Sequence, residues 1–113
     1  MELRLLHYFV TLAEELHFSR AAQRLSISQP PLSVAIKQLE QELQAQLFER
    51  SSKGVRLTAA GEHLLGKARQ AAGDLAGARQ AWEQGLATAA THGDKQAEKE
   101  MTVFLRKLDR ART

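Results

Sequence analysis

The sequence predicts a mainly α-helical chain: a winged helix-turn-helix with a small two-stranded wing, then a linker helix and a C-terminal helix or helical hairpin. Three observations carry this reading. Apolar residues recur at three- and four-residue intervals from Leu3 to Leu16, again around Ala21, Ala22 and Leu25, and again from Leu32 to Leu43. The chain has 113 residues and two prolines, and both prolines, Pro30 and Pro31, stand together where the third run begins. Leu47-Phe48 and Val55–Leu57 have the character of two short strands around a polar, basic loop, Ser51–Gly54.

Each element has a local reason. Leu5, Leu6, Phe9, Val10, Leu12, Ala13 and Leu16 make the wide apolar stripe of a helix that faces a core. His17-Phe18 interrupts it, and Ser19 is the expected N-cap of a short second helix, Arg20 to Leu25. In that helix Ala21 and Ala22 allow another helix to approach closely. Ser26-Ile27-Ser28 is the turn, with Ile27 directed at the core and Ser28 expected to cap a third helix, about Gln29 to Gln44. Proline is tolerated in a first turn, because the amide it lacks would have no intrahelical partner there, so the Pro30-Pro31 pair marks a helix start. Leu32, Ile36, Leu39 and Leu43 then form a buried stripe, leaving Gln29, Pro30, Ser33, Val34, Lys37, Gln38 and Gln41 on the remaining surface. Two short helices joined by a tight turn form the helix-turn-helix pattern. In the following wing, Arg50, Lys53 and Arg56 are placed to reach phosphates, and Thr58 is expected to cap a fourth helix starting at Ala59.

Composition restricts the function without naming it. The net charge is +3, from 16 basic and 13 acidic side chains, so position and not bulk charge must decide any attraction to nucleic acid. The chain has no cysteine, which excludes disulfides and thiolate-based metal or redox chemistry. No apolar run approaches the roughly 20 residues that span a bilayer, and the N-terminus lacks the shape of a signal peptide, so a cytoplasmic protein with no membrane partner is expected. His7, His17, His63 and His92 are too dispersed for a zinc spacing, and no nucleophile elbow or glycine-rich phosphate loop is present. No enzyme, metal or cofactor is expected.

Taken together, LRLLHYFVTLAEELHFSRAAQRLSISQPPLS, IKQLEQELQAQLFER and GVRLTAAG resemble the DNA-binding domain of the LysR-type transcriptional regulators, over roughly residues 1–70. The resemblance implies sequence-specific binding of double-stranded DNA, with the third helix in the major groove, the wing on the backbone, and a homodimer formed through the linker helix. Carried onto this chain, it implies that Gln29, Pro30, Ser33, Val34 and Lys37 lie at the DNA, with Ser28 at the helix start and Arg50, Lys53 and Arg56 on phosphates. The chain departs from the family pattern at Val34 and Ala35, where many members carry arginine and glutamine. An arginine reading a base would be worth roughly 1–3 kcal/mol of discrimination. No small-molecule effector domain is evident. The alternative is a helical interaction module that forms mixed dimers with related regulators without binding DNA strongly itself.

Beyond about Ala72 the family pattern stops. Gly73-Asp74, Ala78, Trp82, Gly85 and Leu86 resemble the turn and second helix of a tetratricopeptide repeat. A competing reading continues the linker helix through Gly73, with Leu64, Ala68, Ala71, Leu75, Ala78, Trp82, Gly85 and Ala89 as a pairing seam. Against it, each helical glycine costs about 1 kcal/mol relative to alanine. The expected organisation is residues 1–58 as the winged helix-turn-helix, 59–90 as the linker and dimerisation helix with a possible break near 73, and 91–113 as a C-terminal helix.

Overall fold

A computed structural model describes residues 2–111. The chain divides between Leu57 and Thr58 into two compact units.

The first unit contains α1 (Leu3–Glu15), α2 (Phe18–Arg24), α3 (Gln29–Leu43) and the antiparallel strands β1 (Phe48–Ser51) and β2 (Gly54–Leu57). Helix α1 ends where Leu16 turns left-handed (φ 51°) and donates its N–H to the Leu12 carbonyl at 2.7 Å. Its apolar stripe is buried at Leu5, Phe9 and Leu12, and the stripe of α3 is buried at Leu32, Ile36 and Leu39. The Phe9 and Phe48 rings, 5.5 Å apart, join α1 to the first strand. Glu40 on α3 fixes the start of that strand, its carboxylate accepting the N–H groups of Leu47 (2.8 Å) and Phe48 (3.4 Å).

Two capping expectations are corrected. Helix α2 begins two residues early, at Phe18, because the His17 ring accepts the Arg20 N–H at 3.2 Å. Ser19 is otherwise engaged, since its hydroxyl accepts the Gln29 side-chain amide at 2.6 Å. Ser28 occupies the N-cap position of α3 but makes no side-chain capping bond. The cause is in the sequence: a cap oxygen accepts from the second or third helical amide, and in α3 those positions are Pro30 and Pro31.

The turn between α2 and α3 closes through Ser26 in the left-handed conformation (φ 57°), with Ser26 N–H to Gln23 and Ile27 N–H to Ala22. This pair of bonds satisfies the last carbonyls of α2 and redirects the chain within three residues.

The second unit is three helices, α4 (Ala59–Ala71), α5 (Leu75–His92) and α6 (Lys95–Ala111). Residues 59–90 are therefore two helices and not one. Gly73 takes φ 83°, a conformation a helix does not contain, and Asp74 caps α5 by accepting the Gly77 N–H at 2.9 Å. The continuous pairing seam is overturned with it. Ala78, Trp82, Gly85 and Ala89 are buried, and Trp82 centres a core shared with Ala59, Met101 and Leu108. Thr58 caps α4 through the Gly61 N–H (3.0 Å), and Gly93 (φ 66°) with Asp94 separates α5 from α6. Arg112 and Thr113, the end of the region expected to be the C-terminal helix, lie outside the described residues.

Candidate nucleic-acid interface

Helix α3 presents one face to the core and the other to solvent. Leu32, Ala35, Ile36 and Leu39 point inward, whereas Pro30, Val34, Lys37 and Gln41 are exposed and Ser33 is half-buried. The two departures from the family pattern therefore have different meanings. Ala35 is 4% exposed and belongs to the packing, while Val34 is 65% exposed and belongs to the outer surface.

Side chains of α2 and the wing set the arrangement around this face. Gln29 is exposed, yet its amide is tied to Ser19, which joins the beginnings of α2 and α3. The carbonyl oxygen and one N–H of the amide remain for another partner. The Arg50 guanidinium lies over the Phe18 ring, 4.2 Å from its centroid, so α2 holds the wing cation by a cation–π contact. Arg50 and Lys37 line one surface groove together with Gln46 and Glu49. Lys53 sits at the wing tip, where its backbone N–H bonds the Ser51 hydroxyl at 3.1 Å. Ser28 is exposed at the beginning of α3.

Ion pairing sorts the cations of this unit. Arg24 bridges Glu14 (3.0 Å) and Glu15 (3.1 Å), Arg20 approaches Glu15 (3.5 Å), and Arg4 approaches Glu2 (3.5 Å). Arg56, expected to reach phosphate, pairs with Glu49 at 3.2 Å, because the two face each other across the strand register. Among the described residues, Lys37, Arg50 and Lys53 are the cations of this unit with no carboxylate partner. In a nearly neutral unit, the cations without a carboxylate partner thus lie on α3 and on the wing.

Phe18, Ser19 and Glu49 hold side chains around this surface, through Arg50, Gln29 and Arg56, and sequence reasoning missed them. Glu49 was the most legible of them, since alternation along two short paired strands sets it opposite Arg56. Phe18 and Ser19 act across the fold, and no local pattern reveals them.

In the second unit, His63 is buried with Nε2 3.6 Å from the Glu100 carboxylate and Nδ1 without a hydrogen-bond partner. No cluster of three metal-ligating side chains occurs among the described residues, and no helix there is long and apolar enough to cross a membrane.

Comparison with known proteins places residues 3–62 in a family. The sequence model for bacterial regulatory helix-turn-helix proteins of the lysR family matches residues 3–62. The HTH-type transcriptional regulator AlsR of Bacillus subtilis is 56% identical over 71 residues, covering 63% of this chain and 24% of that protein. A crystal structure of the BenM DNA-binding domain in complex with catB site 1 DNA superposes with a TM-score of 0.62 and 45% identity, covering 66% of this chain and 83% of that one. A different relative, a TPR repeat-containing protein of Pseudomonas aeruginosa, is 96% identical over 54 residues, which are 48% of this chain and 51% of that protein. The chain thus spans about half the length of this last relative and about a quarter of the length of the regulator. Through residues 3–62, which form the helix-turn-helix and wing described above, the chain belongs to the lysR family of bacterial regulatory helix-turn-helix proteins.

Proposed function

We propose that the chain binds double-stranded DNA sequence-specifically, as a transcriptional regulator, with α3 in the major groove and the wing on the phosphate backbone. The observation that carries this is the distribution of unpaired cations: Lys37 on α3, and Arg50 and Lys53 on the wing, while the remaining arginines of the unit are held by carboxylates. Similar domains have been crystallised with DNA, CbnR with its target DNA and the BenM DNA-binding domain with catB site 1 DNA, which supports DNA as the partner. In this reading Ser28, Gln29, Pro30, Ser33, Val34 and Lys37 face base edges or the groove wall. Arg50 and Lys53 hold phosphates and fix register. Arg56 contributes less than the other two, because Glu49 neutralises it. A homodimer would match a roughly palindromic site with half-sites one or more helical turns apart. Since Ala78, Trp82, Gly85 and Ala89 are spent on the core of the second unit, pairing would have to use surface of α4 outside that core. None of these roles is catalytic, and a reducing, cytoplasmic setting suits them.

A second activity is favoured by the helical unit. Leu65-Gly66 on α4, with Ala78 and Trp82 on α5, follow the leucine-glycine and alanine-aromatic spacing of a tetratricopeptide repeat. The 54-residue match to a repeat-containing protein agrees with this. We read α4 and α5 as one such repeat and α6 as the first helix of the next, a module whose surface takes protein partners. Mixed dimers with related regulators belong to this reading.

A titration of the purified chain on selected and random duplexes at two salt concentrations tests the DNA assignment. Tight, selective binding is expected, with log affinity falling by about 0.9 per held phosphate for each decade of salt. The Lys37→Ala, Arg50→Ala double variant should lose affinity and flatten that slope. Weak binding indifferent to sequence would overturn the regulator reading and leave the helical module as the functional part.

A further inference from the structure

Val34 occupies the centre of the outward face of α3. At about 100° per residue it lies roughly 160–200° around the helix from Leu32 and Ile36, which are buried. Pro30, Lys37 and Gln41 flank it within about 60° on the same exposed side. Stability does not call for an apolar group here: Val34 is 65% exposed, and a β-branched residue is a poorer helix former than the lysines and glutamines around it. If α3 enters a major groove, this valine is on the face turned toward the groove floor. Its two methyl groups offer no hydrogen bond and no charge. The one apolar feature that base pairs display in the major groove is the C5 methyl of thymine.

The neighbours sharpen the assignment. Lys37, one turn further on, is exposed and lacks a carboxylate partner, so it can reach a phosphate or guanine edge while Val34 rests on the bases. Gln29 is steadied by Ser19 and keeps a carbonyl and an N–H, the complementary pair that adenine takes on its major-groove edge. Ala35 is buried and takes no part in recognition.

We infer that Val34 is a specificity-determining residue that reads a thymine C5 methyl group at one position in each half-site. This deepens the DNA-binding proposal and rests on it. A 5-methylcytosine in that position presents the same methyl group to the valine, so the chain prefers a methylated pyrimidine there irrespective of its hydrogen-bonding edge.

The test is a scan of a selected duplex in which each thymine in turn is replaced by deoxyuridine, which removes only the methyl group. At one position per half-site, affinity of the full chain should fall about fourfold, the value of one buried methyl group. The Val34→Ala chain should bind the original duplex more weakly and show no deoxyuridine effect at that position. Val34→Thr, which retains a methyl group, should keep part of it. With cytosine in place of that thymine, 5-methylation should recover binding by the wild-type chain and not by Val34→Ala. If selective, salt-dependent binding is seen but no thymine responds to demethylation, or if the response survives in Val34→Ala, the valine assignment fails while the DNA assignment stands. If no duplex is bound selectively, both fail.

Discussion

Trp82 of α5 lies directly against Gly66 of α4. The indole Nε1 donates to the backbone carbonyl of His63 at 3.3 Å, and a Cβ on residue 66 would overlap the indole ring. The glycine that weakens α4 as an isolated helix is what allows α5 to pack against its backbone. Alanine at this position should gain about 1 kcal/mol of helix propensity and lose about 1–3 kcal/mol to overpacking. We therefore expect Gly66→Ala to destabilise the helical unit by up to about 2 kcal/mol despite being the better helix former. Denaturant unfolding followed by the fluorescence of Trp82, the sole tryptophan, measures this. A stabilised variant would show that the tryptophan has room to move.

The turn of the helix-turn-helix stores a small strain. Ser26 adopts φ 57°, which costs an L-residue with a Cβ about 1 kcal/mol. Ser26→Gly should relieve most of it, offset in part by the greater entropy of glycine in the unfolded chain. A net stabilisation of about 0.5 kcal/mol is expected in thermal unfolding followed by circular dichroism. Ser26→Ala should give none.

Stability of the helical unit should decline on mild acidification through His63. Burial, and secondarily the nearby Lys67, hold its imidazolium below the usual histidine range, outweighing the opposing pull of Glu100. Because the folded-state value is the lower one, the unfolded chain takes up the proton first as pH falls. The stabilisation is complete above the unfolded value near 6.5 and is lost as pH falls from there toward the folded value. Glu62 acts in the opposite sense: burial raises its carboxyl above the usual range despite Arg69, so its contribution is lost as pH rises through that range. The unfolding midpoint should drop as pH falls below about 6.5, and His63→Gln should remove most of that drop. An equal drop in the variant would assign it to other groups.

The pair between Glu49 and Arg56 makes a prediction of the opposite sign to the usual loss-of-contact variant. Glu49→Gln removes the carboxylate that neutralises Arg56, giving the wing one more cation for phosphate. DNA affinity should rise, and the slope of log affinity against log salt should steepen by about 1. Unchanged affinity would mean that Arg56 points away from the backbone in the complex.

The sequence by itself determined the helices, because three- and four-residue apolar spacing and the adjacent prolines are local signals that packing reinforces. It also determined the wing, the break at Gly73 as one of two readings, and the lysR family resemblance. The positions of Pro30, Val34, Lys37 and Gln41 on one exposed face follow from helix geometry alone. What only the tertiary structure decided are the partnerships between residues distant in sequence. It gave Ser19 to Gln29 and the capping role to His17. It gave Arg56 to Glu49 and Arg50 to Phe18, and it sent Trp82 onto Gly66 instead of into a seam between chains. The physical reason is the same in each case. A side chain's periodicity says which way it points, but which of several polar or apolar partners it meets depends on where the rest of the fold has placed them.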